Sequence, residues 1–202
     1  AIMATAGMRV LLIDADLRRP MVHEIFGLDN QVGLTTLLFV DPDTNKSDRD
    51  IEGKPIPTLN QCLQTTSIPN LKVITSGFIP SNPSEILGSD LMKRWVDAFR
   101  NSANVDVVII DTPPVLLFSD VSILAGLLNS AVIMVTDSQR TRRKMALQAL
   151  EQLQQVNAQV KGVILNKLNP RDEVGYYGSD YYGYYNRDAS VPKRGFLRFG
   201  RR

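Results

Sequence analysis

The sequence predicts an α/β protein with a mostly parallel central sheet flanked by helices, followed by a tail without regular structure. Three observations carry this. Four short apolar runs, VLLI at 10–13, VVII at 107–110, VIMV at 132–135 and VIL at 163–165, lack polar alternation, as expected of strands covered on both faces of a parallel sheet. Helical patterns separate them, and strand alternating with helix implies right-handed crossovers and a ligand site at the carboxyl ends of the strands. After Asn166 the periodicity stops, which divides the chain into a domain over 1–166 and a tail over 167–202 that is expected to be mobile or ordered only against a partner.

Taken in order, AIMATAG at 1–7 reads as the last turns of a helix ended by Gly7 as its C′ residue. Because the chain opens on Ala1 inside that helix, a preceding segment is expected. The strand at 10–13 delivers Asp14 at its carboxyl end, and Pro20 then opens a short helix holding His23, the lone histidine. Residues 41–58 are polar, proline-bearing and aperiodic, and read as an exposed loop. LKVITSG at 71–77 is a fifth strand candidate, and 83–100 and 119–128 are helix candidates on either side of the strand at 107–110. The clearest helix is 141–157, where Ala146, Ala149, Leu150, Leu153 and Val156 share one face. It opens on Arg140, Arg142, Arg143 and Lys144, cations that oppose the helix dipole and are expected on a solvated face.

At 202 residues, with 44% hydrophobic and 22% charged residues, the chain suits one well-packed soluble domain. A net charge of +2 provides no global field for nucleic acid or membrane. The single cysteine, Cys62, excludes an internal disulfide and a thiolate metal cluster, and suits a reducing cytosol. No apolar run is long enough to span a bilayer, and no signal peptide is present. Positive charge is concentrated in the final KRGFLRFGRR, which either holds the tail near an anionic surface or serves solubility. All six tyrosines, Tyr176, Tyr177, Tyr181, Tyr182, Tyr184 and Tyr185, lie in one ten-residue stretch. Tyrosine normally packs in a core with its hydroxyl paired, so a domain that keeps none for that purpose points to phosphate-accepting hydroxyls in the tail.

Two elements carry candidate chemistry. In VLLIDADLRRP a buried strand ends on Asp14, with Asp16 two residues on and Arg18 and Arg19 following. Two carboxylates so placed can hold a divalent metal, or one can hold metal while the other orients a nucleophile; the plainer alternative is that Asp14 caps a turn and Asp16 is solvated. VVIIDTPP has the form of a Walker B segment, with Asp111 at the strand end to bind Mg²⁺ directly or through water beside a nucleotide; the alternative is a strand-end aspartate capping the next turn. A shared Mg²⁺ would relieve the repulsion among the three acids. The phosphate loop GxxxxGK[ST] does not occur in the 202 residues; the one Gly-Lys pair, Gly53-Lys54, is followed by Pro55 in the polar loop.

Together these residues resemble a family. VLLIDADLRRP is similar to the Walker A′ motif, VVIIDTPP to Walker B, and SGFIPSNPSEIL at 76–87 to the proline-bearing stretch of bacterial tyrosine kinases of the capsular exopolysaccharide type. With the tyrosine cluster they cover most of the chain in the family's order. The resemblance implies a three-layer P-loop NTPase fold like that of MinD and ParA. It also implies ATP and Mg²⁺ as cofactors, and a ring-forming homo-oligomer whose subunits phosphorylate one another's C-terminal tyrosines. Control of exopolysaccharide or capsule synthesis and export would follow, at the cytoplasmic face of the membrane, with a transmembrane polysaccharide co-polymerase or activator fused upstream or separate and no nucleic acid partner. It places Asp14, Asp16 and Asp111 in catalysis, Asp16 and Asp111 at the metal, and Arg18 and Asn166 at the nucleotide. Asn166, in GVILNKL, corresponds to an adenine-contacting asparagine of the MinD-like group; a strand-end cap is the alternative.

The missing phosphate loop implies that the chain is truncated before Ala1 and that residues 1–202 alone bind and turn over ATP poorly. Two rival readings remain open: a MinD/ParA-type positioning ATPase that phosphorylates no protein, and a non-catalytic remnant that only accepts phosphate. His23, Cys62 and Trp95 are expected to serve packing.

Overall fold

The computed structural model describes residues 1–40, 42 and 58–168. Nearly all of the predicted loop at 41–58, the six tyrosines and the basic terminus lie outside the described residues. The elements run α1 (Ile2–Thr5), β1 (Val10–Asp14), α2 (Val22–Phe26), α3 (Leu34–Leu37), α4 (Leu59–Cys62), β2 (Leu63–Thr65), β3 (Leu71–Ile74), α5 (Pro83–Leu87), α6 (Asp90–Arg100), β4 (Val107–Asp111), α7 (Asp120–Leu128), β5 (Ala131–Asp137), α8 (Arg143–Gln155) and β6 (Gln159–Asn166). The described residues fall into two compact units, one within Ala1–Met134 and Arg142–Gly162 and the other within Val135–Thr141 and 163–168.

The first unit is organised by a four-stranded sheet in the order β2-β3-β1-β4. β1 pairs in parallel with both β3 and β4, while β2 runs antiparallel to β3. Alternation along β1 sends successive side chains to opposite faces. Leu11 and Ile13 enter a core with Leu34, Leu37, Leu87, Met92, Trp95, Phe99 and Leu124, and Val10 and Leu12 join Ala4, Val22, Leu71 and Val73 on the other side. Helices therefore cover both faces of β1, which is why VLLI reads as a continuous apolar run. The Trp95 indole N–H is shared between the carbonyls of Leu37 at 2.9 Å and Val40 at 2.7 Å, supplying a donor to the end of α3.

Some expectations change. The expected helix at 83–100 is two helices: α5 ends at Gly88, and Ser89 caps α6 by accepting the Met92 N–H. A side chain at Gly88 would meet Ile123 of α7, so the break is also a packing point. The strand at 71–77 ends at Ile74; Thr75, Ser76 and Gly77 continue as a loop, with Gly77 at a φ of 77°. Of the runs expected to be buried on both faces, only β1 is. Ile109 of β4, Ile133 and Val135 of β5, and Val163, Ile164 and Leu165 of β6 are exposed, because among the described residues β4 is an edge strand and β5 pairs only with β6. The helices α3 and α4 and the strand β2 are too short, and in LQT too polar, to give a periodic signal.

In the second unit, the Thr136 hydroxyl donates to the Ile164 carbonyl, and the Ser138 N–H donates to the Asn166 carbonyl at 2.9 Å. Lys167 Nζ reaches Asp137 at 2.9 Å.

The approach of α3 to the loop after β3 depends on Gly33. Leu34 and Thr35 N–H groups donate to the carbonyls of Thr75 and Ser76 at 2.7 and 2.9 Å, and a Cβ on Gly33 would lie 2.2 Å from the Thr75 oxygen and 2.5 Å from the Gly77 nitrogen. Gly33→Ala is therefore expected to lower unfolding free energy by about 3 kcal/mol, the upper range for overpacking, measured by urea denaturation against wild type.

Candidate active site

Parallel pairing brings the carboxyl ends of β1, β3 and β4 to one edge. Ile13 lies opposite Ile74, and Asp14 opposite Asp111, while the Ala15 N–H donates to the Asp111 carbonyl at 2.9 Å. Asp14 is fully buried, and its two oxygens accept the N–H groups of Asp16 and Val22, each at 3.2 Å. Asp16, half-buried in the loop, folds one oxygen back onto the N–H groups of Arg18 at 3.1 Å and Arg19 at 2.9 Å. The DADLRR segment is thus a pair of nested carboxylate-to-backbone turns that hold both acids in place.

The Arg18 guanidinium is committed to an acid that the sequence did not mark. Its Nε and one terminal nitrogen grip Asp120 at 2.7 and 3.0 Å, and the same nitrogen donates to Ser84 at 3.1 Å. Ser84 in turn donates to Asp120 at 2.6 Å, and the Phe118 ring lies 4.2 Å beneath the guanidinium carbon. Ser84 belongs to the proline-bearing stretch at 76–87, and Asp120, which is completely buried, opens α7. A Ser-Asp pair ahead of a helical pattern is a legible capping signal, but nothing in the sequence indicated that its partner would be 102 residues away. Beyond β3, Asn30 accepts the N–H of Gly77 at 2.9 Å and the hydroxyl of Ser76 at 3.1 Å, and donates to the Gly77 carbonyl at 3.2 Å.

The acids influence one another. Burial pushes Asp14 up to about 6, opposed by its two backbone N–H donors and reinforced by the charges of Asp111 and Asp16. Asp111 is raised too, first by lost hydration, then by Asp16, against the Thr112 N–H. Asp120 moves the other way, held low chiefly by its hydrogen bonds from Arg18. Among the described residues no three Asp, Glu, His or Cys groups form a ready cation cage. Mg²⁺ keeps several waters and takes one or two carboxylates together with substrate phosphates; Asp16 and Asp111 are the residues that could hold it.

Asn166, the last residue of β6, caps its own strand end, its Oδ1 accepting the Lys167 N–H at 2.8 Å. His23 sits in α2, with Nδ1 buried and without a hydrogen-bond partner among the described residues. The acceptor candidates Tyr176, Tyr177, Tyr181, Tyr182, Tyr184 and Tyr185 lie outside the described residues.

A parallel sheet covered by helices, with acids at its carboxyl edge, is an architecture shared by the P-loop NTPases. The profile of ParA, described as NUBPL iron-transfer P-loop NTPase, matches residues 1–169. Tyrosine-protein kinase YwqD of Bacillus subtilis is 39% identical over 180 residues, 88% of this chain and 68% of that protein. EpsB of Ralstonia nicotianae, named as a candidate tyrosine-protein kinase, is 38% identical over 94% of this chain, which spans only 24% of EpsB. The solved kinase domain of Escherichia coli tyrosine kinase ETK superposes with a TM-score of 0.70 at 28% identity, covering 96% of this chain and 63% of that one. The chain belongs to the bacterial tyrosine-protein kinases, within the ParA-type P-loop NTPases.

The raised Asp14 has a definite linkage. Between its ordinary pKa of 3.8 and about 6, the unfolded carboxyl ionises while the folded one keeps its proton, so this group's contribution to stability is complete at low pH and lost as pH rises through that window. The loss is about 3 kcal/mol. Asp14→Asn is expected to remove that fall, seen as the difference between variant and wild-type unfolding free energies from pH 4 to 7. Arg18→Ala leaves Asp120 buried without its cation and is expected to reduce stability by about 3 kcal/mol. Arg18→Lys, which lacks the two-pronged grip, should recover only part of this by thermal denaturation.

Proposed function

We propose that the protein is a tyrosine autokinase that moves the γ-phosphoryl group of ATP onto tail tyrosines of a neighbouring subunit. The observation that carries the proposal is the gathering of Asp14, Asp16 and Asp111 at one sheet edge in a chain whose every tyrosine lies in one short stretch after the domain. Family membership supports it. The proposed acceptors are Tyr176, Tyr177, Tyr181, Tyr182, Tyr184 and Tyr185, in a tail that begins after Asn166.

In the proposed step the tyrosine oxygen bonds to the γ-phosphorus as its proton passes to Asp16. The bond from that phosphorus to the bridging oxygen breaks, and ADP leaves with the electron pair. Such transfer depends mainly on positioning and on charge neutralisation. Asp16 suits the proton-accepting role because it is half exposed, whereas Asp14 is buried with both oxygens engaged and sets the loop that presents Asp16. Asp16 and Asp111 would hold Mg²⁺, which when bound neutralises the phosphate charge. Arg18, occupied by Asp120, contributes to the nucleotide site indirectly, by fixing the loop. Asn166, whose amide can both donate and accept, is the proposed contact for an adenine edge.

Phosphorylation adds about −1.5 to −2 charges per site, enough to reverse the local charge of the tail and release an assembled ring. The wider proposal is a homo-oligomeric ring at the cytoplasmic membrane face, working with a transmembrane activator to regulate exopolysaccharide or capsule synthesis and export. The match to ParA is also compatible with one rival, a positioning ATPase, which the relatives named as tyrosine-protein kinases make the weaker reading.

The test is a phosphotyrosine immunoblot of the natural full-length protein incubated with ATP and Mg²⁺. Strong tail labelling is expected, falling by about 100-fold or more in Asp16→Asn and Asp111→Asn. Wild-type protein that dimerises with ATP yet shows no phosphotyrosine would overturn the kinase proposal in favour of the positioning ATPase.

A further inference from the structure

Apart from the tail tyrosines, the chain has seven phenylalanines and one tryptophan. Trp95 and Phe99 stack in the core, and Phe118 lies under Arg18. Phe39 and Phe78 are different. Their rings are stacked, with centroids 6.1 Å apart and planes 18° from parallel, yet they remain 57% and 47% exposed, and adjacent Ile79 is 62% exposed. An aromatic stack left in water with an aliphatic neighbour is the kind of exposed apolar patch that marks an interaction surface.

Its place in the fold is informative. Phe39 follows α3, whose start is hydrogen-bonded to Thr75 and Ser76 beyond β3. Phe78 and Ile79 follow Gly77 in the segment that leaves the carboxyl end of β3, beside β1, and arrives at Ser84 against Arg18 and Asp120. The patch therefore belongs to the same carboxyl edge as Asp14, with Phe78 and Ile79 on a segment anchored at one end by Asn30 and at the other by the Arg18 network.

We propose that the Phe39–Phe78 stack, with Ile79, is the docking platform for the tyrosine stretch at 176–185 of a second copy of this chain; this rests on the autokinase reading above. Complementarity supports this occupant. The stretch is aromatic pairs separated by glycine, GYYGSDYYGYY, and offset stacking of tyrosine on an exposed phenylalanine is favourable beyond the area it buries. Docking one pair at the rim presents another to the acids, and the repeated pairs allow several registers. Reach is adequate, because Tyr185 lies 17 residues beyond Leu168 and an extended chain of that length spans about 55 Å, more than the width of a domain this size.

The test uses full-length protein and a fluorescein-labelled synthetic peptide of residues 173–188. Fluorescence anisotropy is expected to show the peptide binding wild type and binding Phe39→Ala/Phe78→Ala about tenfold more weakly. Phe78→Tyr should retain binding, and circular dichroism should show both variants folded. In steady-state phosphorylation of the unlabelled peptide, the double variant should raise the peptide KM by the same factor and leave kcat and the KM for ATP unchanged. Equal peptide affinity in wild type and double variant would overturn the platform, as would a variant defect confined to subunit assembly or to vesicle binding. When Asp16→Asn protein with an intact tail is mixed with wild-type protein lacking residues 173–188, phosphotyrosine on the Asp16→Asn chains is expected, and its absence would place the tail on its own subunit and overturn the intermolecular arrangement. If the wild type binds the peptide through Phe39 and Phe78 but phosphorylates nothing, the autokinase reading fails and the docking surface stands.

Discussion

The register of β1 between β3 and β4 is the constraint on which the rest of the site depends. A parallel pair aligned from Val10 opposite Val107 must place Asp14 opposite Asp111. A slip of one residue would turn the apolar set of β1 to the wrong faces and separate the two acids at the same time. The alignment is held by burial on both sides of β1, since Leu11 and Ile13 serve one core and Val10 and Leu12 the other. Packing that gains nothing from the carboxylates thus forces them into one another's field.

The protein treats two fully buried acids in opposite ways. Asp14 has only backbone N–H donors and two neighbouring negative charges, so burial dominates and its carboxyl is raised to about 6. Asp120 is equally inaccessible, but it has a guanidinium grip and a serine hydroxyl and is held low. Asp120 is a fixed structural charge that ties the arginine of the acid loop to the proline-bearing stretch and to the start of α7. One ion pair joins three segments that share no secondary structure, and Phe78, one ring of the exposed stack, lies on a segment that this pair anchors.

Much of this was legible in the sequence. The apolar runs located β1, β3, β4, β5 and β6 to within a few residues, because a short continuous run rich in β-branched residues favours extended backbone. Asp14, Asp16 and Asp111 stood out because each lies at or just beyond the end of such a run. The break at Gly88 was not legible, since a helical pattern continues across it; it follows from the passage of α7 and from the Ser89 cap. The short α3, α4 and β2 were hidden because fewer than about five residues cannot establish a period. The exposure of β4, β5 and β6 could not be read either, because an apolar run states what a strand can bury and not what lies beside it.

By itself, the sequence determined the strand-helix alternation, the acids at strand ends, the confinement of every tyrosine to one tail stretch and the kinship with bacterial tyrosine kinases, all of which are local in the chain or carried by contiguous motifs. Only the tertiary structure decided that Arg18 belongs to Asp120 and Ser84, that Asp14 is sealed while Asp16 remains within reach of solvent, and that Phe39 meets Phe78 on the surface. Those are pairings across 39 to 102 residues, set by which faces of the sheet and helices close on one another, and no periodicity within a segment encodes the partner it will meet.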